Sequence, residues 1–110
     1  AFHSPLMAPA AERLRAALDS VRFCDPAVPV YANVSAEPVR SAAQIPDLLV
    51  RQLTNPVRWQ QSLEAMRAGG IDTVLELGPG KTLCGMVERT IAGTACRNVD
   101  TAADLAGWSD

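Results

Sequence analysis

The chain has 110 residues, 48% hydrophobic and 20% charged, and its 10 Lys and Arg against 12 Asp and Glu give a formal net charge of −2. That length allows one domain with a modest core, and the apolar content is too high for a disordered chain. No basic stripe suits nucleic acid, no apolar run approaches the roughly 18 residues of a membrane span, and no signal peptide is visible.

The chain opens on Ala1-Phe2-His3-Ser4-Pro5-Leu6-Met7, which holds its one histidine. Residues 8–21 follow with Leu14, Ala17, Leu18 and Val21 at the spacing of an amphipathic helix, and Pro9 in its first turn. Val28 to Val34 reads as a strand entered through Pro26 and Pro29. Ser41 is placed to cap a helix over 42–53. Asn55-Pro56 then reads as the N-cap and first position of another helix, with Val57, Trp59, Leu63 and Met66 on its apolar face and Gly69-Gly70 at its end. Thr73-Val74-Leu75-Glu76-Leu77 is a buried strand feeding the turn Gly78-Pro79-Gly80. A helix from Thr82 to Ile91, closed by Gly93, follows. Ala95 to Val99 is a last strand and Thr101 to Ala106 a terminal helix. Strands alternating with helices predict an α/β fold with a mainly parallel sheet. Three strands make a thin sheet for a class that is normally covered on both faces, so the pattern suggests a piece of a larger sheet.

Cys24, Cys84 and Cys96 are odd in number and form no Cys-x-x-Cys pair. The expectation is therefore no disulfide framework and no zinc site, but reduced, mostly buried thiols in a cytoplasmic protein. Gly78-Pro79-Gly80-Lys81-Thr82 superficially suggests a phosphate loop. That motif requires glycine five positions before Gly80, and position 75 is Leu. The glycines read better as a structural turn stiffened by Pro79. His3 stands at a loop-to-helix junction, where a scaffold can mount a base. A neutral imidazole there can take a proton from a hydroxyl and return it to a thiolate leaving group.

Three blocks, Phe2-His3-Ser4-Pro5-Leu6-Met7, Gln52-Leu53-Thr54-Asn55-Pro56-Val57-Arg58-Trp59 and Glu76-Leu77-Gly78-Pro79-Gly80-Lys81-Thr82-Leu83, together resemble the carboxyl-terminal part of the malonyl-CoA:acyl carrier protein transacylase family. The resemblance runs from Ala1 to about Ala106. It implies that residues 1–110 are an incomplete domain, part of an α/β-hydrolase-like large subdomain. The family's Gly-His-Ser-x-Gly elbow and its ferredoxin-like small subdomain would lie upstream of the histidine motif. It further implies that His3 is the catalytic base of an S-malonyltransferase acting through a malonyl-serine intermediate. A main-chain carbonyl, matching Gln52, would orient the imidazole in place of an aspartate. Ala1-Phe2-His3 matches the malonyl form of the extender-selecting motif, which makes Phe2 a selectivity residue. Asn33 and Asn55 match positions near the cleft, although each also has a purely local reading as a turn or cap residue. Lys81 is either a solvated lysine or a contact to a CoA or phosphopantetheine phosphate, and Arg58 either a cleft residue or a surface one.

The implied substrates are malonyl-CoA and phosphopantetheinylated acyl carrier protein, with no cofactor and no metal, in cytoplasmic fatty acid synthesis. Implied partners are the acidic carrier protein, for which Arg40, Arg51, Arg58, Lys81 and Arg89 are candidate contacts, and the serine-bearing upstream half of the enzyme. Alternatives at this point are an acyltransferase domain of a polyketide synthase and a non-catalytic α/β binding module.

Overall fold

The structure, a computed structural model, describes residues 2–106, so Ala1 of the histidine motif lies outside the described residues. Two compact units divide the chain, residues 1–62 and 63–110.

In the first unit, Ser4 is extended and Pro5–Met7 form a single 3-10 turn that leads directly into helix α1, Ala8–Leu18. Leu14 and Leu18 are half-buried as their spacing predicts, whereas Ala17 is exposed and Val21, beyond the end of the helix at Leu18, is exposed too. Strand β1, Val30–Ala32, is shorter than the sequence suggests. It turns back through Asn33 to Ala36 onto an unforeseen strand β2, Glu37–Val39, in antiparallel register with Val30 opposite Val39. Ala36, with φ of 60°, takes the left-handed position that usually signals its presence through glycine or asparagine. Val34, Ala36 and Val39 are buried at this hairpin.

Ser41 caps as expected. Its hydroxyl accepts the Ala43 N–H while the Gln44 side chain accepts the Ser41 N–H, a reciprocal box opening a 3-10 turn over Ala42–Gln44. Helix α2, Ile45–Thr54, continues from it and packs against α1. A surface ion pair between Arg15 and Asp47, 2.9 Å apart and about half exposed, bridges the two helices and adds little stability by itself.

Asn55-Pro56 does not start a helix. Asn55 is the extended C-cap of α2, and helix α3, Trp59–Ala68, begins three residues beyond Pro56. The reason is local. A proline biases the residue before it out of the helical region, so Asn-Pro ends a preceding helix as readily as it opens a following one. Val57 consequently lies in the connection and is exposed. Gly70, with φ of 93°, terminates α3.

The second unit is a β-α-β arrangement as the sequence indicates: strand β3, Thr73–Leu77, helix α4, Thr82–Thr90, and strand β4, Ala95–Val99, with the short helix α5, Ala102–Ala106, after it. Strands β3 and β4 are parallel, with Thr73 opposite Ala95 and Glu76 opposite Asn98. Among the described residues this parallel sheet has two strands, because β1 pairs with β2 instead. Leu63, Cys84, Val87, Ile91 and Val99 are buried here.

The cysteine expectation is overturned. Cys84 and Cys96 form a disulfide with Cα atoms 5.4 Å apart, tying α4 to β4, and the free Cys24 is exposed. Sequence parity counts cysteines without knowing which strand faces which helix. Here the register of β4 turns Cys96 toward α4.

Candidate active site around His3

His3 has φ of 62°, a left-handed conformation that costs a non-glycine residue energy and is more common in histidine than in most side chains. That twist, just before extended Ser4 and the Pro5–Met7 turn, presents the exposed imidazole to the end of α2. Nδ1 lies 2.9 Å from the Gln52 main-chain oxygen and 3.2 Å from the Gln52 side-chain nitrogen. A carbonyl can only accept, so donor and acceptor chemistry assigns the proton to Nδ1. The Gln52 amide then has its acceptors elsewhere, in the Asn55 and Pro56 carbonyls at 3.1 and 3.5 Å. In this tautomer Nε2 carries the lone pair, and the ring is a base with one nitrogen held and the other free for chemistry.

The carbonyl that holds the ring belongs to the last turn of α2. A helix leaves its final four C=O groups without intrahelical partners. Here they are distributed. The Arg51 oxygen accepts the Asn55 side-chain amide at 2.7 Å and the Thr54 hydroxyl at 3.4 Å, and the Gln52 oxygen faces His3.

Phe2 is 70% exposed, its ring centroid 6.4 Å from that of His3 and tilted by 55°, so it stands beside the base rather than in a core. Asn33 and Gln52 share an apolar cavity of about 260 Å³, with Val30, Val34, Leu48 and Leu49 among its walls. The Asn33 carbonyl accepts the Arg58 N–H at 2.8 Å. Arg58 does not project freely: its guanidinium donates to the Ser35 carbonyl at 2.9 Å, securing the hairpin turn to the start of α3.

The second unit shows what Gly78-Pro79-Gly80 serves. Glu76, only 8% exposed, accepts the Leu83 and Cys84 N–H groups on its two oxygens at 3.0 and 2.8 Å. A carboxylate thus fills the anion position at the start of α4. Asn98 clamps the same turn, its side-chain amide donating to the Glu76 and Gly78 carbonyls at 3.2 and 2.9 Å. Neither the capping role of Glu76 nor the clamp by Asn98 is evident from the strand pattern. The seven-residue step from Glu76 to Leu83 across a glycine turn was the available signal. Lys81 borders a polar cavity of about 660 Å³ with Glu88, Arg97 and Asp104, a balanced set of charges rather than an anion site.

Among the described residues there is no cluster of histidine, cysteine and carboxylate able to hold a metal, and no helix long and apolar enough to cross a membrane.

No family model matches the chain. Individual proteins do. It is 46% identical over 88 residues to the malonyl CoA-acyl carrier protein transacylase of Bacillus subtilis (strain 168), covering 80% of this chain and 28% of that protein. The crystal structure of the malonyl-CoA:ACP transacylase of Synechocystis sp. PCC 6803 superposes with a TM-score of 0.94 at 31% identity, over 98% of this chain and 37% of that one. A malonyl-transacylase solved in complex with a type II PKS acyl-carrier protein gives 0.90 at 38% identity, over 96% and 34%. The chain therefore spans little more than a third of these relatives at most. Within that span sequence and fold agree, and the chain belongs to the malonyl-CoA:acyl carrier protein transacylase family.

Proposed function

We propose that the protein bearing this chain transfers a malonyl group from malonyl-CoA to the phosphopantetheine thiol of acyl carrier protein, with His3 as the general base. The observation that carries this reading is the 2.9 Å contact between His3 Nδ1 and the Gln52 carbonyl. It supports the tautomer whose Nε2 can accept a proton, using a neutral acceptor where other hydrolase-like sites use a carboxylate.

The nucleophile is a serine of the Gly-His-Ser-x-Gly kind, a motif absent from these 110 residues and supplied by another part of the enzyme. Nε2 takes the serine proton as the hydroxyl attacks the malonyl thioester. The tetrahedral adduct collapses, the carbon–sulfur bond breaks, and the Nε2 proton passes to the departing CoA thiolate. Nε2 then removes the proton of the pantetheine thiol, whose sulfur attacks the malonyl-serine ester, and serine leaves with that proton. No cofactor enters the scheme. Alone, the chain holds a base without a nucleophile and is inactive. Phe2 beside the base crowds a C2 methyl branch and favours malonyl over methylmalonyl units. The reaction belongs to cytoplasmic fatty acid synthesis, and Asn33 and Asn55 line the approach to the base.

In the complete enzyme, His3→Ala lowers the rate of malonyl transfer by roughly 10²- to 10⁴-fold, the range for a positioned general base. A variant that keeps more than a tenth of the wild-type rate sinks the assignment.

A further inference from the structure

We infer that Pro56 is a positioning residue for the proposed base: it keeps the Gln52 carbonyl free to hold His3. The inference rests on the reading of His3 above and adds the reason its partner is available. In an α-helix the N–H of residue i bonds the C=O of residue i−4. The Gln52 carbonyl would therefore be claimed by the N–H of residue 56. Position 56 is proline, which has no N–H, so that carbonyl cannot be consumed by continuation of α2.

The surrounding geometry fits one device. Proline drives the preceding Asn55 to φ −120° and ψ 153°, out of the helix. Asn55, whose own N–H no longer serves the helix, returns a side-chain N–H to Arg51 O at 2.7 Å. The Gln52 side chain donates to the Asn55 and Pro56 carbonyls at 3.1 and 3.5 Å, bracing the departing chain. The next carbonyl in line, the Gln52 oxygen, lies 2.9 Å from His3 Nδ1. The Asn-Pro pair thus assigns one carbonyl of the last turn to a side-chain cap and releases the next to the histidine.

The test uses the complete enzyme with Pro56→Ala, Pro56→Gly and His3→Ala, measuring malonyl transfer, thermal midpoint and the ring ¹⁵N signals of His3. Alanine restores the N–H and favours helix, so residue 56 competes for the Gln52 oxygen. The expected result is a kcat lower by on the order of 10- to 100-fold with little change in KM for malonyl-CoA, as for a misplaced reacting group. The midpoint does not fall, and His3 moves away from the Nδ1–H tautomer. Glycine restores the N–H but is a poor helix former, so Pro56→Gly loses less than Pro56→Ala. A proline that merely stiffened the connection would give the opposite order, glycine being the looser residue.

The inference is overturned if Pro56→Ala stays within twofold of wild type, if Pro56→Gly loses more than Pro56→Ala, or if His3 keeps Nδ1–H in Pro56→Ala. Should Pro56→Ala fail to fold, the Pro56→Gly tautomer decides: unchanged Nδ1–H overturns the inference, and a mixed population supports it. Loss of rate in His3→Ala with none in Pro56→Ala removes this inference and leaves the function standing. An active His3→Ala removes the function itself.

Discussion

At the scale of single residues, the site depends on a side chain in an unfavourable backbone conformation facing a main-chain atom. Neither property is written in amino-acid identity. His3 was legible through the run Phe2 to Met7, and Gln52 through the resemblance alone, because what matters at position 52 is an oxygen every residue possesses. Gln52→Ala accordingly leaves the orienting carbonyl in place while removing the brace to Asn55 and Pro56. Phe2 offers a sharper test. Its ring is mostly exposed beside the imidazole, so replacing it costs little core packing. One methyl group is worth about 1–3 kcal/mol of discrimination, or roughly 10- to 200-fold. Phe2→Ser in the complete enzyme should raise the ratio of methylmalonyl to malonyl transfer by about 10-fold or more. Competition kinetics with the two CoA esters gives that ratio directly, and an unchanged value would reduce Phe2 to packing.

Among the elements, those with strong local grammar were readable. β3 falls where its Thr-Val-Leu run predicts, β4 spans the expected Ala95–Val99, and Ser41 caps its helix, because the strand run and the cap are complete within a few residues. The β1–β2 hairpin was missed because Ala36 replaces the expected turn residue, and Asn55-Pro56 was misplaced because its chemistry suits either end of a helix. Glu76 shows how a capping role escapes notice when cap and helix lie on opposite sides of a turn. Glu76→Ala strips the Leu83 and Cys84 N–H groups of their acceptor and should cost about 1–2 kcal/mol, read as a lower urea midpoint at unchanged slope. The start of α5 carries a titratable version of the same device. Asp104 accepts from the Thr101 N–H, the Thr101 hydroxyl and the Asp100 N–H, and these bonds hold its carboxyl below the usual carboxylate range. A depressed folded pKa means the contribution is complete above the unfolded value and is lost as pH falls through the folded one. Protection of the α5 amides, taken relative to the intrinsic exchange rate at each pH, should therefore fall in that acid window, and Asp104→Asn should show the reduced protection already at neutral pH. At the same scale, a non-reducing tryptic digest should yield residues 82–89 and 90–97 as one linked species through Cys84 and Cys96, separating on reduction.

On the scale of the whole molecule, the second unit presents a sheet finished on one side only. Glu76 on β3 turns inward onto α4, as Cys96 on β4 does through its disulfide, while Leu75 and Leu77 alternate to the other face and are 42% and 74% exposed. Parallel strands are stable when both faces are covered, and a two-stranded pair with a bare leucine face is marginal. The sequence hinted at this, since three strands were already too few for a covered parallel sheet, but it did not say which face would be bare. That depends on register, which period-two alternation leaves open until one side chain is seen to point at the helix. The chain spans about a third of the relatives it matches, and the expectation is that the remainder of a full-length protein covers the bare face. A single substitution then has opposite effects in two contexts. In the isolated 110-residue chain, Leu77→Lys removes exposed apolar surface, so binding of a hydrophobic dye and self-association should both fall. In the complete enzyme the same change buries a charge where a leucine belonged, forfeiting about 1.5–3 kcal/mol of apolar burial and lowering the thermal midpoint. A variant that is neutral in the complete enzyme would mean that this face stays open to solvent there too, and that β3 and β4 are stabilised from the α4 side alone.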